Sequence, residues 1–167
     1  LDKPSYDLKS LARQLPFLLQ LQDTLERCGL DVLQIDHEDA HGQYEVNFAH
    51  TDALATADRV MLFKLAAQAI AERHGMVFSM MPKPFANQPG SGMHCHVSLW
   101  QGHGDNARNV FIAHKADGSL DHETLLSPLG RQFVAGVLAH AGALTALAAP
   151  TADSYQRLTV GESISGT

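Results

Sequence analysis

The chain has 167 residues, of which 45% are hydrophobic and 18% are charged, values typical of a folded globular domain rather than a disordered chain. Its formal net charge of −6 argues against nucleic acid or an anionic membrane as the main partner. Cys28 and Cys95 have no metal-binding spacing, and no apolar run has the length of a signal peptide core or a transmembrane helix. We therefore expect a cytoplasmic protein. Because the chain starts with Leu1, we also expect a piece of a longer one.

The first predicted elements are a helix and a β-hairpin. Leucines recur at helical spacing from Leu8 to Gly29, where the glycine would end the helix, and Pro16 would kink it or mark a restart. Residues 30–37 and 43–49 are predicted strands, and the polar turn 38–42 between them predicts a hairpin. The apolar face of the second strand would consist of Tyr44, Val46 and Phe48.

Two further helices are predicted. The longer one extends from about Thr51 to His74, with Thr51 or Thr56 as its N-cap, and its apolar residues cover more than one stripe, so we expect it to be largely buried. The other would begin at Ser127-Pro128 and end near Ala148. The remaining segments are a predicted short strand, 76–81, a predicted surface excursion, 101–121, and a predicted irregular stretch, 151–167.

The segment MPKPFANQPGSGMHCHVSLW, which begins at Met81, combines two patterns. Residues 82–92 are rich in proline and glycine and are predicted to form a shaped loop. Met93–Trp100 alternates strictly and is predicted to be a strand. Imidazoles beside a glycine-rich loop suit metal and phosphate chemistry, although the alternative is an amphipathic strand whose polar face meets water. The polar face would carry His94, His96 and Ser98.

Carboxylates in the predicted hairpin offer a second set of ligands. Glu38 and Glu45 lie on either side of the turn, and the right register would bring their side chains together. With His94 they would make an oxygen-rich site of the Mg²⁺ or Mn²⁺ kind. A zinc site on His94 and His96 is weaker, because no cysteine pair or HExxH helix accompanies them. The alternative for each glutamate is a solvated surface residue.

Several motifs resemble the catalytic domain of glutamine synthetases. Lys83-Pro84, Gly90 to His94 and Ser98 resemble the ATP-region signature of that family. IDHE, ending at Glu38, and HGQYE, ending at Glu45, look like the segments that carry its metal-binding glutamates. The tail LAAPTADSYQRL is similar to a later segment, and the motifs follow the family order. The implied fold is α/β of the α+β type, with an antiparallel active-site sheet and packed helices, and residues 1–167 would be part of that domain.

The resemblance also implies roles for individual residues, with ATP and two or more Mg²⁺ or Mn²⁺ ions as cofactors. Glu38 and Glu45 would ligate one ion and His94 the second.

The remaining implied contacts are to ATP and to the substrate. Lys83, His96 and Ser98 would contact ATP. Gly90 would lie in the loop over glutamate. Arg157 would be the catalytic arginine, contacting the substrate carboxylate or the transferred phosphoryl group.

The implied reaction is the ATP-dependent ligation of ammonia, or a small alkylamine, to the γ-carboxylate of glutamate through a γ-glutamyl phosphate. Pro89 stands where ammonia-specific members commonly have asparagine, and Ser163, next to Glu162, stands where many have an ammonium-binding glutamate. The tail GESISGT resembles the type III branch and the γ-glutamylmethylamide synthetases, so the amine stays open. Alternatives are a γ-glutamylpolyamine synthetase, a non-catalytic structural relative and a guanidino kinase.

The family's β-grasp domain and other site residues lie outside these 167 residues. The whole protein would form a ring-shaped homo-oligomer, and this piece alone would be inactive.

Overall fold

A computed structural model describes residues 7–158 of the chain. These residues fall into two compact units, 7–91 with 156–158, and Gly92–Tyr155. Helices and two small antiparallel sheets make up the fold, so the predicted α+β class is confirmed. Of the helices in residues 7–158, none has both the length and the apolar character needed to cross a membrane.

The first unit opens with a broken helix. Helix α1 spans Leu8–Arg13, and helix α2 spans Leu15–Arg27 with Pro16 in its first turn. Proline is tolerated there because the first amides of a helix have no partner within it, so the predicted restart is confirmed. Gly29 ends the helix as predicted, at a φ of 82° that favours glycine.

A two-stranded antiparallel hairpin follows. Strand β1 spans Val32–His37 and strand β2 spans Tyr44–Phe48, as predicted within two residues at each end. The register pairs Asp36 with Glu45 and His37 with Tyr44, and an irregularity lies between Val32 and Gln34. The predicted apolar face of β2 is confirmed. Its residues Tyr44, Val46 and Phe48 pack against the core.

Helix α3 spans Ala53–Arg73. The prediction of Thr51 or Thr56 as N-cap was wrong: the carboxylate of Asp52 accepts from the amide of Ala55 at 3.0 Å. The prediction that the helix is largely buried was also wrong. Only one stripe of α3 is covered in the described part of the chain, and Met61 and Leu65 are 57% and 65% exposed. The buried stripe consists of Ala67, Ile70 and Ala71.

The core of the first unit lies between α2, α3 and the hairpin. The largest of its fully buried side chains are those of Leu25 and Leu30. The segment after α3 packs against this core through Met76 and Phe78, whereas Val77 between them is 94% exposed. The chain therefore alternates like a strand, but the predicted strand 76–81 was wrong, because no neighbouring strand in residues 7–158 pairs with it.

The second unit contains a short hairpin and two helices. Strands β3, Trp100–Gln101, and β4, Arg108–Asn109, pair at the start of the predicted surface excursion 101–121, whose residues are mostly exposed, and a 3₁₀ turn spans Gly104–Asn106. Helix α4 spans Pro128–Ala139 and helix α5 spans Ala141–Ala148. The predicted helix is thus confirmed at both ends and is interrupted at His140.

Ser127 caps α4 as predicted. Its Oγ accepts from the amide of Gly130 at 3.0 Å and donates to the carbonyl of Val110 at 2.6 Å. The rings of Phe111 and Phe133 pack 4.9 Å apart between the same segments. These contacts anchor the start of α4 to the strand-like stretch after β4.

The predicted strand Met93–Trp100 was wrong except at its last residue, which begins β3. An alternating pattern identifies a surface suited to a strand, but the strand forms only beside a hydrogen-bonding partner. Within residues 7–158, no strand pairs with residues 93–99. The predicted irregular tail was partly wrong as well, since Ala152–Arg157 forms helix α6. Glu162 and Ser163 lie outside the described residues.

Candidate active site

The β1–β2 hairpin brings acidic side chains to one face. Asp36 and Glu45 are direct partners in the register, on the face opposite the core. The amide of Glu38 donates to the carbonyl of Gln43 at 2.9 Å, which continues the pairing by one step. Because side chains alternate along a strand, Glu38 follows Asp36 on the same face as Glu45. The register therefore brings the two predicted metal glutamates together.

The charges on this face affect Glu38 directly. Burial raises the pKa of its carboxyl, and the negative charges of Glu45, Asp39 and Asp36 raise that pKa further. The hairpin thus holds several carboxylates closer together than they would lie in an unfolded chain. A cation on this face would relieve the repulsion.

His37, the last residue of β1, does not lie on the acidic face. Its side chain is only 4% exposed, and its ring meets that of Tyr44 edge-on at 5.0 Å. Its Nδ1 lies 2.8 Å from the carbonyl oxygen of Glu38, so this nitrogen carries the proton and donates. His37 packs on the core side of the hairpin, opposite the acidic face, and stabilises the hairpin there.

The loop that follows α3 is held in shape by its own groups. The amide of Ser91 donates to the carbonyl of Pro82 at 2.8 Å and closes the loop. The ammonium of Lys83, predicted to contact ATP, donates to the carbonyl of Gln88 at 2.7 Å across the loop. In this structure Lys83 therefore braces the loop from within.

Gly90 and Arg157 lie against each other. A Cβ added to Gly90 would be 2.5 Å from the carbonyl oxygen of Pro82, 2.9 Å from Cγ of Arg157 and 3.0 Å from its Cδ. Only glycine fits between that backbone and the arginine stem. The Nε of Arg157 is buried, and no hydrogen-bond partner for it is found among residues 7–158. An unpaired buried guanidinium nitrogen is a donor available to an anion.

Gln43 joins the hairpin to the loop, a connection that the sequence analysis missed. Its Oε1 accepts from the amide of Ala40 at 3.1 Å, and its Nε2 donates to the carbonyl of Gly90 at 2.9 Å. The same nitrogen lies 3.4 Å from Oγ of Ser91. The sequence pattern places Gln43 only at the start of a predicted strand; its position between Gly42 and Tyr44 was the available signal.

The second unit carries the other predicted site residues. His94, His96 and Ser98 are all exposed, in the extended stretch before β3. The hydroxyl of Ser98 accepts from Nε1 of Trp100 at 3.0 Å. Since residues 93–99 are not a strand, their common face stays a prediction from the sequence.

The donor set can be tested against the metal that the resemblance implies. In the part of the chain that the structure describes, no three or more His, Cys, Asp or Glu residues are grouped to hold a metal. Glu38 and Glu45 are nevertheless a hard, charged oxygen pair. Mg²⁺ commonly keeps several waters and binds through one or two carboxylates together with substrate phosphates. The pair fits a metal of that kind and does not form a complete protein cage.

An acidic hairpin packed on helices, with a glycine loop beside an arginine, characterises the first unit of this α+β fold. The model of the family described as "Glutamine synthetase, catalytic domain" matches residues 2–165. The chain belongs to this family.

Two curated relatives match almost the whole chain. The glutamate–methylamine ligase of Methyloversatilis universalis is 48% identical over 166 residues, which are 99% of this chain and 36% of that protein. The glutamine synthetase of Rhizobium meliloti is 40% identical over 165 residues, again 99% of this chain and 36% of the relative. The chain therefore spans little more than a third of the length of these relatives.

A solved structure agrees with the sequence matches. The structure described as "GmaS/ADP complex-Conformation 1" superposes with a TM-score of 0.84 at 38% identity, covering 99% of this chain and 36% of that one.

Proposed function

We propose that this chain, 1–167, is part of the catalytic domain of an ATP-dependent ligase that joins a small amine to the γ-carboxylate of glutamate. The observation that carries the proposal is the acidic pair Glu38 and Glu45, whose mutual repulsion contributes to the raised pKa of Glu38. Family membership and the names of the relatives support the same activity.

In the proposed site, Glu38 and Glu45 hold one Mg²⁺ or Mn²⁺ ion and His94 holds a second. When bound, these ions would neutralise charge on the triphosphate. The repulsion around Glu38 supports this assignment, because carboxylates that repel one another in the metal-free protein gain most from a cation.

The remaining contacts are to the two substrates. Lys83, His96 and Ser98 contact ATP. The loop at Gly90 lies over glutamate, and Arg157 binds the substrate carboxylate or the transferred phosphoryl group. The buried, unpartnered Nε of Arg157 among residues 7–158 supports its role as a donor to an anion.

Catalysis would proceed in two steps. A γ-carboxylate oxygen of glutamate attacks the γ-phosphorus of ATP and ADP leaves, which gives γ-glutamyl phosphate. The amine nitrogen then attacks the acyl carbon. The bond between that carbon and the bridging oxygen breaks, and phosphate leaves with this former carboxylate oxygen and the electron pair of the bond. The nitrogen loses a proton. Arg157 stabilises the negative charge on the oxygens of the transferring phosphoryl group, because a guanidinium held in position interacts most strongly with charge that develops in the transition state.

Methylamine is the first candidate for the amine and ammonia the second. The 48% identity to a glutamate–methylamine ligase, against 40% to a glutamine synthetase, favours this order. Pro89, where ammonia-specific members commonly have asparagine, agrees with it. The whole protein would be a ring-shaped cytoplasmic homo-oligomer.

The test is ADP release by the full-length gene product with ATP, Mg²⁺ and glutamate, in parallel with methylamine, ammonia, ethylamine and putrescine. We expect turnover that requires both glutamate and an amine, with methylamine preferred. A preference for ammonia would make the protein a glutamine synthetase. Absence of turnover with every amine would overturn the proposal in favour of a non-catalytic relative.

A further inference from the structure

We infer that Gln43 is a positioning residue that fixes the glycine loop 82–91 against the acidic turn of the hairpin. The inference rests on the proposed function, in which this loop lies over glutamate and the turn carries a metal ligand. Gln43 itself has no assigned role in that chemistry. The oxygen of its side-chain amide accepts a hydrogen bond from the turn, and the nitrogen donates one to the loop.

The contacts of Gln43 connect segments that are far apart in the sequence. Its Oε1 is 3.1 Å from the amide of Ala40, within the turn, and its Nε2 is 2.9 Å from the carbonyl of Gly90, which lies 47 residues later. The glutamine amide is suited to this bridge, because it carries an acceptor and a donor at a fixed separation on one planar group. Neither a carboxylate nor an apolar side chain provides both.

The turn also has backbone hydrogen bonds besides its bond to this side chain. The backbone amide of Gln43 donates to the carbonyl of Ala40 at 3.1 Å, and its carbonyl accepts from the amide of Glu38 at 2.9 Å. Neither of these two bonds involves the side chain. Loss of the side-chain amide should therefore release the loop while the hairpin and Glu38 keep their geometry.

The loop also has other contacts close to Gly90. Its ends are joined by the bond from the amide of Ser91 to the carbonyl of Pro82, and Gly90 packs on the stem of Arg157. Those contacts shape the loop and join it to the arginine, whereas the Nε2 bond ties it to the turn that carries Glu38. Gln43 thus sets the distance between the proposed glutamate-binding loop and the proposed metal ligands.

The experiment compares Gln43→Met with the wild type in the full-length gene product, because methionine keeps the length of the side chain without its polar ends. We expect the KM for glutamate to rise about tenfold, the effect of one lost hydrogen bond of ordinary strength, with the KM for ATP within about twofold. Gln43→Glu keeps the acceptor for Ala40, loses the donor to Gly90 and should also raise the KM for glutamate. Gln68→Met, on the exposed face of α3, is the matched control and should change neither constant.

A second readout does not need turnover. Hydrogen–deuterium exchange without substrates should be faster in the loop 82–91 of Gln43→Met, and unchanged in strands β1 and β2. Unchanged exchange in the loop would overturn the inference. So would a uniform loss of kcat and of both substrate affinities together with a lower Tm, which is the signature of a purely structural role. An inactive wild type would contradict the proposed function alone, since loop exchange still tests the bridge.

Discussion

The contact between Gly90 and Arg157 makes a sharp prediction for Gly90→Ala. The new methyl group would lie 2.5 Å from the carbonyl oxygen of Pro82 and 2.9 Å from Cγ of Arg157. The arginine stem is flexible and can shift, but Pro82 cannot easily do so, because its carbonyl accepts from the amide of Ser91 at 2.8 Å. The backbone of the loop must therefore move away from the hairpin or carry strain.

The size of the effect of Gly90→Ala on folding free energy and on kcat/KM can be estimated from this geometry. Overpacking by one methyl group typically costs about 1–3 kcal/mol of folding free energy. The loop and the guanidinium of Arg157 would be displaced together, and a misplacement of about 1 Å at a binding group can lower the rate about 100-fold. We therefore expect Gly90→Ala to lower kcat/KM for glutamate about 100-fold in the full-length protein, with a smaller loss of thermal stability.

The assay pairs steady-state kinetics with thermal unfolding and uses Gly136→Ala as its control. Gly136 lies inside α4, and a Cβ there meets nothing within 4 Å among the described residues. Alanine at a compatible helical position should stabilise by about 0.5–1 kcal/mol and leave catalysis unchanged. Wild-type kinetics and wild-type stability for Gly90→Ala would refute the account of a loop held between Pro82 and Arg157.

Three further predictions concern the hairpin and the start of α4. Because burial and neighbouring charge raise the pKa of Glu38, its charged form destabilises the metal-free fold, so Glu38→Gln should raise the Tm at neutral pH in EDTA. The wild type's free energy of unfolding should fall as pH rises from the ordinary carboxyl pKa through the raised folded value, and this part of the pH dependence should vanish in Glu38→Gln. Glu45→Gln keeps the shape but removes the charge, so Mn²⁺-dependent turnover should be abolished. Ser127→Ala, measured by urea unfolding, should cost about 1–2 kcal/mol, because its hydroxyl both caps Gly130 and bonds to Val110.

Each of these predictions has an outcome that contradicts it. A lower Tm for Glu38→Gln in EDTA would mean that its carboxylate is stabilised by a partner, so the repulsive face would be wrong. Unchanged Mn²⁺ dependence in Glu45→Gln would remove Glu45 from the proposed metal site. For Ser127→Ala the control is Ser119→Ala, whose hydroxyl bonds to the exposed Asp117, and equal stabilities of the two variants would refute the capping argument.

The parts of the fold that the sequence predicted well are those fixed by local patterns. Pro16 and Gly29 mark the restart and the end of the first helices, and Ser127 marks the start of α4. The alternation at Tyr44 to Phe48 predicted the hairpin and the apolar face of β2, whereas the register that places Glu38 and Glu45 on one face is known only from the structure. Each of these signals depends on residues within a few positions of one another.

The errors concern features that depend on distant residues. The segments 76–81 and 93–99 alternate like strands, but a strand needs a partner, and none pairs with either in residues 7–158. The burial of α3 was overestimated because hydrophobicity alone does not show how many faces a neighbour covers. The bridge from Gln43 to Gly90 joins residues 47 apart, and no local pattern predicts such a contact.

The central claim, phosphoryl transfer to the γ-carboxylate of glutamate, can be tested by following an oxygen atom. The full-length gene product would be given ATP, Mg²⁺, methylamine or ammonia, and glutamate labelled with ¹⁸O in its γ-carboxylate, and the released phosphate would be examined by mass spectrometry. The proposed mechanism predicts one ¹⁸O atom in each phosphate, because the phosphate released from γ-glutamyl phosphate keeps one oxygen of the former carboxylate. Phosphate without the label, or ADP formation that does not need glutamate, would contradict it.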